Sequence, residues 1–146
     1  MSGCGAELTG ASLHPGVASG PLLVLDEPVS FWGGVDLDGV VVDAHHPQRG
    51  ASVAGRVVAM PAGRGSSSAS AVLAEQLRRG SAPVALLLGE CDTILVVGAA
   101  VAAELYGVSL PIVQLEAADL EALTDAGHVA VHAGVPPAVA MVKPAP

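Results

Sequence analysis

GRVVAMPAGRGSSSASAVLAEQLRRGSAPVALLL, residues 55–88, decides how this chain folds. Its apolar start, residues 55–60, reads as a strand stopped by Pro61. Residues 62–65 read as a loop. Residues 66–79 read as a helix with serines in its first turn. Arg78 and Arg79 sit in the last turn, where the helix dipole favours cations, and Gly80 follows the end. Residues 83–88 then read as a buried strand. Downstream the alternation continues. Asp92 is an N-cap for a helix over 93–106, which Gly107 ends. Residues 110–115 read as a strand, 117–126 as a short acidic helix closed by Gly127, and 128–132 and 139–142 as strands. Upstream the pattern is β only, with strands at 21–25, 29–32 and 40–43. Turns fall at Gly33-Gly34, at Asp36-Leu37-Asp38-Gly39, where Asp-Gly favours positive φ, and at Gly50. Strands first and βα units afterwards predict an α/β domain with a mixed or barrel-like sheet.

With 146 residues, 51% of them hydrophobic, the chain has the size of one domain and enough apolar material for a core. Its only large rings are Phe31, Trp32 and Tyr106, so Val, Leu, Ile and Ala must fill that core. The formal charge of −8 repels polyanions and argues against nucleic acid as a partner. No secretory signal is expected at the start, and the longest uncharged run near the hydrophobic centre, 93–103, is shorter than the about 20 residues a bilayer requires. A cytoplasmic protein without a membrane span is expected. Cys4 and Cys91 are far apart, and a domain of this size does not require a disulfide.

Chemistry concentrates in Gly63-Arg64-Gly65-Ser66-Ser67-Ser68. Two glycines let the backbone turn sharply and approach a ligand closely. A helix begins behind them with unpaired amides and the positive dipole end, a place that attracts carboxylate or phosphate. Arg64 adds a planar donor suited to a bidentate grip on an anion, and the three hydroxyls add donors. The same surroundings favour a serine alkoxide, which could take a proton from carbon. An ordinary serine-capped helix after a glycine turn fits these residues too. The segment does not match G-x-S-x-G, so a hydrolytic triad is not expected.

Three other places draw notice. Asp43-Ala44-His45-His46-Pro47 reads as a turn with exposed or partly buried histidines. A metal there would need His14, His128, His132 or a carboxylate, and no metal is expected on this chain. His128 and His132 share one side of a strand but stand far apart. Phe31-Trp32-Gly33-Gly34-Val35-Asp36 is either a core anchor or a partner hot spot. Cys91 lies between a strand and a helix start, where a thiol's pKa can fall. Two separated cysteines cannot hold an iron–sulfur cluster.

The ordered set Phe31-Trp32-Gly33-Gly34-Val35-Asp36, Asp43-Ala44-His45-His46-Pro47, Gly63-Arg64-Gly65-Ser66-Ser67, Ala82-Pro83, DTILVVGAAVAA at 92–103 and Pro111-Ile112-Val113 resembles the small subunit, or swivel domain, of the aconitase X family. The resemblance covers about residues 16–113 of a single domain spanning 1–146, with 114–146 left as an extension of that domain. It implies a swivelling β/β/α fold like the mobile fourth domain of aconitase. It also implies a larger partner subunit holding an iron–sulfur cluster or metal, and loss of water from a hydroxylated, anionic acid. Phosphomevalonate dehydratase and cis-3-hydroxyproline dehydratase are the activities it suggests. Gly63-x-Gly65-Ser66-Ser67 is similar to the aconitase G-x-G-S-S-R loop, whose first serine is the base. That likeness makes Ser66 the base and gives Gly63, Arg64, Gly65, Ser67 and Ser68 to the substrate. Ser68 stands where aconitase has its arginine, so Arg64 is expected to meet the anion instead. A non-catalytic, small-anion-binding or regulatory domain remains the alternative. A phosphoryl-carrying domain would use a histidine, and nothing around His45, His46, His128 or His132 supports one.

Overall fold

The computed structural model describes residues 7–123 and 127–145. The elements, in chain order, are β1 (Leu8–His14), β2 (Gly16–Val24), β3 (Val57–Met60), α1 (Ala69–Arg79), β4 (Ala85–Leu88), α2 (Thr93–Tyr106), β5 (Ile112–Gln114), α3 (Ala117–Ala122), β6 (His128–Ala133) and β7 (Val139–Ala145). Seven strands form one mixed sheet in the order β1-β5-β4-β3-β2-β6-β7, and β1 pairs with both β5 and β7, closing the sheet into a ring. The run β2-β3-β4-β5 is parallel, and the remaining pairs are antiparallel. The α/β class with a mixed sheet is as the pattern predicts.

β3 and β4, inside the parallel run, are buried on both faces, which is why residues 57–60 and 85–88 read as unbroken apolar runs. Val57, Ala59, Ala85, Leu87 and Val113 point into the ring with Val131, Ala140 and Val142. Their neighbours Val58, Met60, Leu86, Leu88 and Ile112 point outward beneath α1 and α2, against Leu73, Leu77, Leu95 and Ala99. The two helices cross closely at Gly98, where a Cβ would come within 2.9 Å of the Ser70 carbonyl oxygen.

Residues 25–56 link β2 to its parallel neighbour β3 without a helix. Such a length needs its own anchors, and Leu25, Val29, Phe31, Val35, Val41 and Val53 supply them by joining the helix-side core. Gln76, fully buried on α1, donates from Nε2 to the Asp36 carbonyl at 2.8 Å, and Ser81 Oγ donates to the Leu37 carbonyl at 2.6 Å.

Several expected elements differ. The strand expected at 29–32 is a turn, because the Ser30 carbonyl accepts from Gly34 N at 3.0 Å and Ser30 Oγ from Trp32 N at 3.0 Å. Residues 40–43 make only isolated bridges, Val35 to Val41 and Val40 to Ser52. The helix expected from 66 starts at Ala69. The acidic helix stops at Ala122, because Leu123 is extended, and its expected end falls outside the described residues. By contrast, Asp92 caps α2 and Gly107, in the left-handed region, closes it as expected. Cys4 lies outside the described residues, while Cys91 carries an exposed free thiol.

Phe31 and Trp32 divide between the two roles their sequence left open. Phe31 is 1% exposed and Trp32 is 57% exposed. Phe31→Ala is therefore expected to cost about 3–5 kcal/mol of stability, the usual loss for a buried ring. Trp32→Ala is expected to cost under about 1 kcal/mol. Chemical denaturation of the two variants distinguishes them. Equal losses would contradict this division.

Candidate functional site

The C-terminal ends of the parallel strands gather the site. β3 runs out at Met60, and Pro61 to Ser68 lead from it into α1. β4 runs out at Leu88, and residues 89–92 lead into α2. The two connections touch. Gly89 N donates to the Pro61 carbonyl at 3.1 Å, and a Cβ on Gly89 would come within 2.6 Å of that oxygen. Gly63 rests against the Asp92 side chain so tightly that a Cβ there would collide with Asp92 Oδ2. The other oxygen, Asp92 Oδ1, accepts from Ile94 N at 3.0 Å and Leu95 N at 3.3 Å. One carboxylate thus caps α2 and fixes where the glycine-rich loop passes.

Within that loop the serines explain the late helix start. Ser66 Oγ accepts from Ser68 N at 3.3 Å, a local bond that competes with helical geometry. The Ser66 carbonyl accepts from Ala69 N at 2.9 Å, and Ser70 Oγ donates to the Ser67 carbonyl at 3.1 Å. Ser68 holds the N-cap position of α1 but makes no side-chain cap bond. Among the described residues the Ser67 and Ser68 hydroxyls meet no protein partner, nor does the proton of Ser66. Ser66 is partly buried, while Arg64, Gly65, Ser67 and Ser68 are exposed. A helix of 11 residues stands behind them with its N-terminus toward the loop.

Arg64 meets the second motif. Its Nη1 lies 3.8 Å from Asp43 Oδ2. Asp43 Oδ1 accepts from His45 N at 2.9 Å, and Asp43 N donates to the Gly34 carbonyl at 3.3 Å. So the Phe31–Asp36 turn, the Asp43–Pro47 turn and the serine loop lie side by side, a meeting that no spacing in the sequence announced.

The buried histidines, His46 and His14, are engaged in hydrogen bonds, while His45 is exposed. His46 is buried; its Nδ1 accepts from Gln48 N at 3.0 Å and its Nε2 donates to the Glu27 carbonyl at 2.9 Å. Neither nitrogen has a lone pair left for a metal. His14 donates from Nδ1 to the Leu110 carbonyl at 2.9 Å. His128 and His132 lie on the outer face of β6, both exposed. Among the described residues no group of three or more His, Cys, Asp and Glu is placed to hold a metal ion. None of their helices is long and apolar enough to cross a membrane.

Two clefts open at the same end of the ring. One, of about 440 Å³, is bounded by Leu25, Met60, Pro61, Glu90, Leu120 and Glu121. The other, of about 600 Å³, lies between β1, β5 and Glu116. Neither of the two includes residues 63–68, of which Arg64, Gly65, Ser67 and Ser68 are exposed.

The model for the aconitase X swivel domain matches residues 7–136. This chain belongs to the aconitase X swivel-domain family. It is 46% identical over 134 residues to the cis-3-hydroxy-L-proline dehydratase of Pseudomonas aeruginosa, which covers 86% of this chain but only 23% of that protein. The phosphomevalonate dehydratase small subunit of Thermococcus onnurineus is 38% identical over 97 residues, covering 66% of this chain and 75% of that subunit. The crystal structure of Thermococcus kodakaraensis aconitase X superposes with a TM-score of 0.79 at 32% identity, covering 94% of this chain and 98% of that one. The swivel domain thus spans less than a quarter of the hydroxyproline dehydratase it matches. The family match runs beyond residues 16–113 at both ends, and takes in β1, α3 and β6.

Proposed function

We propose that this swivel domain supplies the proton-abstracting base and the anion-binding loop of a hydro-lyase, acting on a hydroxylated carboxylic acid with a larger aconitase X subunit. The observation that carries the reading is the state of Ser66. Its hydroxyl sits in the connection from β3 to α1, receives an amide hydrogen from Ser68, and keeps its own proton free of protein acceptors among the described residues. A donor to the oxygen and the positive end of α1 both favour the alkoxide. Ser66 takes a proton from the carbon beside the one bearing the hydroxyl. The C–H electron pair becomes the double bond while the C–O bond breaks and the hydroxyl leaves as hydroxide. That hydroxide and the proton Ser66 gives up when its alkoxide is regenerated together make the water lost. Arg64, the Ser67 and Ser68 hydroxyls and the backbone at Gly63 and Gly65 hold the substrate's carboxylate or phosphate.

The exposure of this loop fits a site shared between chains. Docking of the larger subunit covers the loop, sheds water and completes the catalytic set. The iron–sulfur cluster or metal implied by the family does not fit the described residues of this chain and belongs to the larger subunit in this reading. In this reading residues 1–146 are one domain, which the closing of the ring by β6 and β7 among the described residues supports. The substrate is cis-3-hydroxy-L-proline or phosphomevalonate, and the protein works in the cytoplasm.

Co-expression with the larger subunit, anaerobic purification through a tag on this chain, and assay of water loss from both substrates test the proposal. Co-purification with dehydration of one of them is expected. A lone chain that binds an anion by itself, with no turnover in the mixture, would instead favour a binding or regulatory domain.

A further inference from the structure

From the meeting of Arg64 and Asp43 we infer that Asp43 is a positioning residue, which holds the Arg64 guanidinium at the serine loop so that it meets the substrate's anion already oriented. The inference rests on the proposed function and adds a residue to it.

Arg64 lies between two glycines, exposed, on a segment with no helix or strand to restrain it. A free arginine there samples many rotamers, and ordering it on binding costs side-chain entropy. Asp43 is the group that limits this freedom. Its side chain is 23% exposed, against 52% for Arg64, so it is the more firmly seated partner. Its backbone is tied to Gly34, its Oδ1 is engaged by His45 N, and the His46 amide donates to its carbonyl at 3.1 Å. Only Oδ2 is turned to Arg64, and it meets one terminal nitrogen, Nη1. The guanidinium carries five N–H donors, so one edge can stay with Asp43 while the others take a carboxylate or phosphate. The link also gives the Asp43–Pro47 turn, remote from the loop in sequence, a functional reason to pack beside it.

Asn at position 43 keeps an oxygen for His45 N and therefore the turn, while removing the charge that holds Arg64. With the assembled enzyme and whichever of cis-3-hydroxy-L-proline and phosphomevalonate it turns over, Asp43→Asn is expected to raise KM about five- to tenfold and leave kcat within twofold. In an Arg64→Gln background the same change is expected to have no further effect, because the two residues act through one contact. An unchanged KM for Asp43→Asn, or an equal rise in the Arg64→Gln background, overturns the inference. A second measurement needs no turnover. In the isolated chain, ¹⁵N relaxation of the Arg64 Nε–H group is expected to show restricted motion in the wild type and free motion in Asp43→Asn. Equal mobility in both overturns the inference, whereas absence of turnover on both substrates counts against the proposed function alone.

Discussion

Ser66→Ala is expected to lower kcat of the assembled dehydratase about a thousandfold, within the roughly 10²–10⁴-fold range that a positioned general base contributes. The change removes one hydroxyl from an open loop. The oxygen it deletes accepts a single bond, from Ser68 N, and the Ser66 carbonyl that accepts from Ala69 N is untouched. Folding and association with the larger subunit are therefore expected to survive, with a denaturation midpoint close to that of the wild type. The pairing of large kinetic loss with intact structure makes the result informative. Steady-state kinetics on the co-purified complex check it. Retention of more than a tenth of the activity would remove Ser66 from the role of base and leave the loop as an anion cradle only.

The second large effect comes from a residue with no side chain. Gly63→Ala places a methyl group where Asp92 Oδ2 lies. Either the loop moves away or the Asp92 carboxylate turns and gives up Ile94 N and Leu95 N. The second course costs about 1 kcal/mol of helix capping. The first displaces Arg64 and Ser66 from their working positions, and a shift of about 1 Å in a catalytic group can cost on the order of 100-fold. The expected result is a fall in kcat/KM of about 100-fold. Asp92→Ser shortens the obstructing side chain while keeping an oxygen that can cap α2, so the double variant Gly63→Ala/Asp92→Ser is expected to recover most of the loss. Wild-type kcat/KM in Gly63→Ala alone would show that this contact does not set the loop's position.

What could be read in the sequence follows from where burial is two-sided. β3 and β4 lie between the ring interior and the helices, so every residue in them is apolar and the runs stand out. α2 announces itself through Asp92 and Gly107, whose capping chemistry is local. β1 went unread for an equally physical reason. Its more buried positions alternate as Leu8, Gly10, Ser12 and His14, so a strand's period is present but after Leu8 is carried by small and polar residues. Gly10 is needed because the backbone of Gln114 and the side chains of Val113 and Leu115 press against it. Residues 29–32 read as a strand, but Val29 and Phe31, on either side of Ser30, reach the core from a loop that Ser30 closes.

The candidate site was half legible. From residue types alone Gly63-Arg64-Gly65-Ser66-Ser67-Ser68 reads either as an anion loop or as an ordinary serine-capped helix after a glycine turn, and the family resemblance favours the first. Asp92 was read as a cap, yet its second oxygen fixes the loop, and no local pattern carries that. Nor does one carry the contact of Asp43 with Arg64, which depends on how residues 25–56 return across the ring. His46 reads in the sequence as part of a turn with exposed or partly buried histidines, its role left open. The hydrogen bonds to both its nitrogens show it to be a structural pin of that return.

Titration of the larger aconitase X subunit with this chain, followed by the rate of water loss from cis-3-hydroxy-L-proline and phosphomevalonate, tests most directly whether the swivel domain completes the site. The account predicts no turnover from the larger subunit alone, and activity on one of the two substrates that rises with added chain and saturates at a fixed ratio. A larger subunit that dehydrates at the full rate by itself would contradict it.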